Sequence, residues 1–310
     1  MKLQLFGLLH LKENQLSAVN IRTKNFADQV QIYIRNAINL SNTLESQGVS
    51  FKLLTNKKYI LDDYLRFEKN SLQVEEIPFI TEVPNGARFY SAHFKLDAFR
   101  YLSKQANEYV GLCDIDMVCA NGYPACLDNI VKAKLPLYYD ISDQVIPAYG
   151  HEVIIDDLKI IHGIESEGRW CGGEFISGTP AFFSMLVDEI ESIYPNYIAN
   201  ISNLHHVGDE AFTTAALELL RRKGVCIGDA GTLGIVGRFW NTHTLHCQKP
   251  FESFKKCFLL HLPADKRFLA EVSLQEGVNS ENVLKFYVAH MKKYYLINAA
   301  KKLFKFFINK

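Results

Sequence analysis

Apolar positions in the first half of the chain follow two alternating periods. Leu3–Leu9 is a short, nearly continuous apolar run, the pattern of a buried strand. Over residues 26–47, Val30, Ile34, Ala37, Ile38 and Leu44 recur at helical spacing, and Gly48 closes the segment. Residues 49–54 form a second strand-like run. Strand–helix–strand order is the seed of a parallel sheet with helices on its faces. After the Ile77-Pro78 break, residues 91–105 return to helical spacing, with Phe94, Ala98, Phe99 and Leu102 on one side. Tyr109–Cys113 is then a short apolar strand running straight into Asp114-Ile115-Asp116.

The second half is less regular. Residues 121–133 read as a helix behind Gly122 and Pro124, and residues 152–162 as a hairpin or edge element. Residues 172–178 form a turn–strand–turn. Thr179-Pro180 opens a helix to about residue 193, with proline at its first position. Residues 209–223 form another helix, closed by Gly224. The prediction is an α/β fold with a mixed, mostly parallel sheet flanked by helices. No repeat or low-complexity linker divides it, so one domain over 1–285 and a helical tail over 286–310 are expected.

Composition narrows the classes. The formal net charge is zero, so nothing draws the chain as a whole toward nucleic acid. Seven cysteines without a CxxC pair read as reduced core thiols. The opening apolar run is too short for a signal peptide with its cleavage site, and no stretch is long enough to span a bilayer. A cytoplasmic location is expected.

Chemistry concentrates where the third strand ends. Ligands of open α/β sheets bind beyond the carboxyl ends of strands. Carboxylates two apart in extended chain point the same way, so Asp114 and Asp116 can hold a hard cation, Mn²⁺ or Mg²⁺. Asp-x-Asp also describes an ordinary acidic turn; this pair is set apart by the buried strand before it.

Around it the chain resembles the A-type glycosyltransferases, single-domain enzymes of Rossmann-like fold that use nucleotide-sugars and an Asp-x-Asp. Lys95-Leu96-Asp97-Ala98-Phe99-Arg100-Tyr101 is similar to a Lys/Ser-x-Asp-x-x-Arg-Tyr helix of bacterial polysaccharide and lipo-oligosaccharide transferases. The resemblance implies that Lys95 or Arg88 faces donor phosphate or sugar and that Asp97 accepts from sugar hydroxyls. The helix alternatively presents a solvated Asp97–Arg100 pair. Trp170–Gly178 resembles the Gly-Gly strand beneath donor and acceptor, with Gly173 allowing close approach of a sugar, or else it is a tight turn before the Pro180 helix. His206-Val207-Gly208-Asp209-Glu210 begins a helix that in these families presents the catalytic acid or amide under the anomeric carbon. Glu210 is the first choice and Asp209 the second, since Asp209 also suits an N-cap. Finally, His261-Leu262-Pro263-Ala264-Asp265-Lys266 resembles the His-x-x-Gly-x-Lys segment of family-8 retaining transferases, with Ala264 where glycine is usual. His261 would complete the metal shell and Lys266 would bind phosphate.

The last twenty residues, 291–310, hold six lysines and no acid. Leu296, Ile297, Ala300, Leu303, Phe304, Phe307 and Ile308 share one helical face opposite lysines. That pattern suits an anionic membrane surface, here the inner face of the cell membrane, or a helix packed on its own domain.

The expected activity is metal-dependent transfer of a hexose or N-acetylhexosamine from a UDP-sugar to a glycan or glycolipid acceptor, with retention, in cell-surface polysaccharide or lipopolysaccharide synthesis. A metal-dependent nucleotidyl- or phosphotransferase needs an early glycine loop, and residues 10–27 contain no glycine. A non-catalytic membrane-associated module leaves the metal-ligand candidates unexplained.

Overall fold

The computed structural model describes residues 2–12, 23, 25–68, 72–272, 280 and 282–308, with side-chain environments as far as 297. The chain begins with β1 (Leu3–Leu9), α1 (Phe26–Glu45), β2 (Ser50–Thr55), α2 (Lys58–Leu65) and β3 (Gln73–Glu76). A 3₁₀ turn leads into α3 (Lys95–Leu102), then β4 (Tyr109–Cys113) and β5 (Met117–Cys119). α4 (Ala125–Ala133), β6 (Leu137–Asp140), α5 (Ser142–Tyr149) and α6 (His151–His162) precede β7 (Cys171–Gly178). α7 (Pro180–Ala199) and α8 (Asp209–Arg222) follow. Short β8 (Gly228–Asp229), β9 (Val236–Arg238) and β10 (Leu259–His261) come before α9 (Lys266–Val272) and α10 (Val283–Ile308).

Among the described residues the main sheet has the order β3-β2-β1-β4-β7-β6-β8, and a small sheet has the order β5-β10-β9. In the main sheet only β7 runs against its neighbours β4 and β6, so the sheet is mixed and mostly parallel, as the sequence pattern predicts. One helix group joins α1 to β2, β5 and α9; another packs α7 against α3, α6 and α8. The Asn25 side chain caps α1 by accepting from the Asp28 amide at 2.9 Å. Gly48, at φ +72°, takes the left-handed turn that ends the segment. The large core covers the main sheet. A second core gathers Leu260, Leu262, Phe251, Phe268, Tyr287 and Met291, so α10 begins inside the domain and the 285/286 boundary falls within that helix.

Several local readings change. Residues 152–162 are helical, not a hairpin or edge element: Ile154, Asp157, Leu158 and Ile161 are buried at i, i+3, i+4 and i+7. Packing against α7 and α8 overrides the strand preference of its β-branched residues. α7 runs on to Ala199 through Pro195. Cys226 and Cys247 are exposed, not core thiols, and all seven cysteines are free. No helix among the described residues is long and apolar enough to cross a membrane.

Candidate active site

The turn after β4 is held from both sides. The Asp114 amide donates to the Glu174 carbonyl of β7 at 3.0 Å, and the Leu262 amide to the Asp116 carbonyl at 3.0 Å. Ile115 is buried between them. Residues 115–116 form a turn, not the extended chain expected from the sequence. The two carboxylates still converge, because β10 pairs antiparallel with β5 and brings His261 opposite Met117. His261 Nε2 lies 3.1 Å from Asp116 Oδ1 and 3.9 Å from Asp114 Oδ2. One ligand atom from each of the three residues lies within 4.8 Å of the others.

Two ammonium groups flank this triad. Lys95 Nζ lies 2.8 Å from Asp114 Oδ1 and 2.9 Å from Asp209 Oδ2, and donates to the Gly173 carbonyl at 2.7 Å. Burial works against its charge, but the two carboxylates outweigh that and hold it well above the usual lysine range. Lys266 Nζ sits on Asp116 Oδ2 and donates to the Pro263 carbonyl at 2.9 Å. Burial raises the Asp116 carboxyl, yet Lys266 and His261 together pull it well below the carboxylate range. Asp114 is raised, chiefly by burial. His261 is lowered by burial but lifted further by Asp116 and Glu174, to about 9.

Behind the triad lies a row of buried charge that sequence reasoning missed. Glu174 Oε1 is 3.4 Å from His261 Nδ1 and 3.5 Å from Arg238 Nε. Burial raises its carboxyl, but Arg238 and then His261 bring it down to about 2. Glu174 thus stands as a charge partner beside Nδ1, while Nε2 faces Asp114 and Asp116. Arg238 also reaches Glu210 Oε1 at 3.6 Å. Glu210 accepts from the Trp170 indole at 2.9 Å and the Gly173 amide at 3.4 Å, with His206 Nε2 at 3.3 Å. The available signal was a lone charge inside each of two apolar segments, Glu174 in β7 and Arg238 in β9.

The structure therefore brings together Lys95, Asp114, Asp116, Gly173, Asp209, Glu210, His261 and Lys266. Asp209 does not cap α8: the N-cap is Gly208, at φ +134°, and the Asp209 carboxylate is on Lys95. Asp97 is drawn elsewhere. Its oxygens accept from the Thr81 amide at 3.1 Å and from Arg100 at 2.8 Å, and its side chain is 2% exposed, so sugar hydroxyls do not reach it here. Arg88 is exposed, with its guanidinium 5.6 Å from the Phe89 ring centre.

A cavity of about 630 Å³ opens beyond the ends of β1, β2 and β3, bordered by His10, Asn56, Glu76, Phe79, Tyr90 and Phe94. Phe79 and Phe94 stack at 5.2 Å, and His10 packs on Phe94 at 4.3 Å. Burial, with Lys12 nearby, lowers His10 to about 4, so its ring is neutral at physiological pH. Because β1 neighbours β4, this cavity and the Asp114 turn share one edge of the sheet.

The donor set fits a divalent cation. Two carboxylates and an imidazole suit Mn²⁺ or Mg²⁺. In the wider cluster the five carboxylates Asp114, Asp116, Glu174, Asp209 and Glu210 meet the permanent cations Lys95, Arg238 and Lys266. That leaves an anionic excess for an imidazolium or a dication to balance.

No protein-family model matches the chain, and no curated protein matches it. Among solved structures it is similar to the galactosyltransferase LgtC, crystallised with donor and acceptor sugar analogues. The TM-score is 0.52 and the identity 9%, over 88% of this chain and 96% of that one. At that identity the likeness establishes the fold alone: an α/β domain with a mixed, mostly parallel sheet flanked by helices and a C-terminal helix, arranged as in that structure.

Proposed function

We propose that this protein is a cation-dependent glycosyltransferase that moves a hexose or N-acetylhexosamine from a UDP-sugar to a glycan acceptor. The observation that carries the reading is the convergence of Asp114, Asp116 and His261 at the strand ends of this fold. Manganese or magnesium held there supplies charge neutralisation for the departing diphosphate. Lys95 on Asp114 and Lys266 on Asp116 add fixed positive charge beside that group.

The aromatic cavity takes the nucleobase, stacked against Phe79, Phe94 and neutral His10. Glu210 remains ionised because burial is outweighed by His206, Arg238 and the Trp170 indole. Its carboxylate faces the positive charge that develops at the anomeric carbon in an oxocarbenium-like transition state. Asp209 holds Lys95 in place instead of meeting the sugar. Retention of configuration accords with the family-8 likeness of residues 261–266, and the anomeric proton of the product reports it directly.

The acceptor belongs to cell-surface polysaccharide or lipopolysaccharide, assembled at the inner face of the membrane. Tyr295, Leu296 and Ile297 of α10 are exposed beside Lys292 and Lys293, an arrangement suited to an anionic leaflet. The rest of the apolar face, from Ala300 onward, lies outside the described side chains.

Purified protein given a panel of UDP-sugars, Mn²⁺ and glycan acceptors should release UDP with at least one donor, and Asp116→Asn should not. Absence of release with every donor, together with no UDP binding by calorimetry, overturns the reading.

A further inference from the structure

We propose that Asp265 is a positioning residue for the cation and phosphate site, clamped by Tyr287 and His290 of α10. The inference rests on the function proposed above and concerns how His261 and Lys266 are held.

Asp265 closes the segment between them. Its amide donates to the Leu262 carbonyl at 3.0 Å, and its own carbonyl accepts from the Leu269 amide at 3.0 Å. An aspartate just before a helix ordinarily turns its carboxylate back onto the first-turn amides. Here both carboxylate oxygens go to other parts of the chain. Oδ2 accepts from the Tyr287 hydroxyl at 2.7 Å, and Oδ1 lies 3.2 Å from His290 Nε2 and 3.5 Å from Asn241 Nδ2. The carboxylate is buried, so losing a partner costs its desolvation as well as the bond.

The clamp is rigid. Tyr287 and His290 pack on Phe268 at 5.3 and 4.5 Å, and Tyr287 on Phe251 at 5.3 Å. On its other side the same segment delivers Lys266 to Asp116 and, through the Pro263 carbonyl, pins that ammonium. Asp265 is therefore the point where the seat of α10 sets the positions of His261 and Lys266. Farther along the same helix Tyr295, Leu296 and Ile297 are exposed beside Lys292 and Lys293, so one helix links that surface to the site.

The test is Mn²⁺ and Mn²⁺–UDP binding by electron paramagnetic resonance, with a thermal melt of each variant. Asp265→Asn should weaken binding by about tenfold, because the buried carboxylate that seats the segment carrying His261 and Lys266 loses its charge. Tyr287→Phe should weaken it by about threefold, the loss of one hydrogen bond. Lys285→Ala, an exposed change on the same helix, should bind as the wild type does. If Asp265→Asn fails to fold, Tyr287→Phe carries the test. Unchanged affinity in a folded variant overturns the clamp and leaves the transferase reading standing. A wild-type protein that binds neither Mn²⁺ nor UDP overturns both.

Discussion

A Cβ on Gly173 would stand 2.2 Å from an oxygen of the Asp209 carboxylate. The bare backbone of β7 thus makes room for Asp209, and the same missing side chain leaves Lys95 Nζ, 3.1 Å from that Cβ position, free to reach the Gly173 carbonyl.

Gly173→Ala should push Asp209 off Lys95. Overpacking of this kind costs about 1–3 kcal/mol of stability. Displacement of a positioning ammonium should also lower UDP release by about tenfold or more. A melting curve and a rate measurement check both, and wild-type turnover would show the close approach to be dispensable.

Chelation should stop UDP release, and added Mn²⁺ should restore it. His261→Ala should raise the Mn²⁺ concentration for half-maximal rate while leaving some activity, because two carboxylates and the diphosphate still hold the ion. A midpoint that does not move assigns His261 a structural role alone. Asp116→Asn should abolish release and lower the melting temperature, since Lys266 is left buried without its charge partner.

Acid should loosen the loop between α6 and β7. Glu218 accepts from the Ser166 hydroxyl at 2.7 Å, the Glu167 amide at 3.0 Å and Arg222 at 3.0 Å. Burial raises its carboxyl, but His162 at 3.5 Å and hydrogen bonds from Ser166 and Arg222 outweigh that and hold it at about 2, against 4.5 when free. A lowered folded value means the stabilisation is complete above pH 4.5 and fades as pH falls toward 2. Glu218→Gln should cost about 1–3 kcal/mol near neutrality. Its deficit relative to wild type should shrink across that acid window. Melting temperature against pH for both proteins tests this, and parallel curves would count against it.

Truncation after Ile297 should weaken binding to anionic vesicles and spare UDP release, since Lys292, Lys293 and the exposed Tyr295, Leu296 and Ile297 remain. The cut must lie there because Val283, Tyr287 and Met291 belong to the second core. Lysines near a charged leaflet contribute about 1 kcal/mol each. Removal of Lys301, Lys302, Lys305 and Lys310 should therefore weaken binding by more than about tenfold, and high salt should weaken binding of the intact chain. Equal co-sedimentation of both proteins would overturn the membrane assignment.

What the sequence determined by itself is whatever depends on neighbours a few residues apart. The strand Leu3–Leu9, the helix that ends near Gly48, the apolar strand before Asp114 and the helix opening at Asp209 were all legible, because burial of one face imposes its period on the chain. Asp114, Asp116 and His261 were legible as ligand types, each at or just past a strand end. Tertiary structure decided which partner each charge has. Asp97 turned to Arg100 and Thr81, Asp209 to Lys95 and not to its own helix, and Glu174 and Arg238 emerged behind His261. Residues 152–162 form a helix whose buried face packs on α7 and α8. The aromatic-lined cavity formed where segments distant in sequence meet at the ends of β1 to β3. These outcomes rest on contacts between residues tens of positions apart, which Coulomb attraction and exclusion of water select only once the sheet order has brought them within a few ångströms.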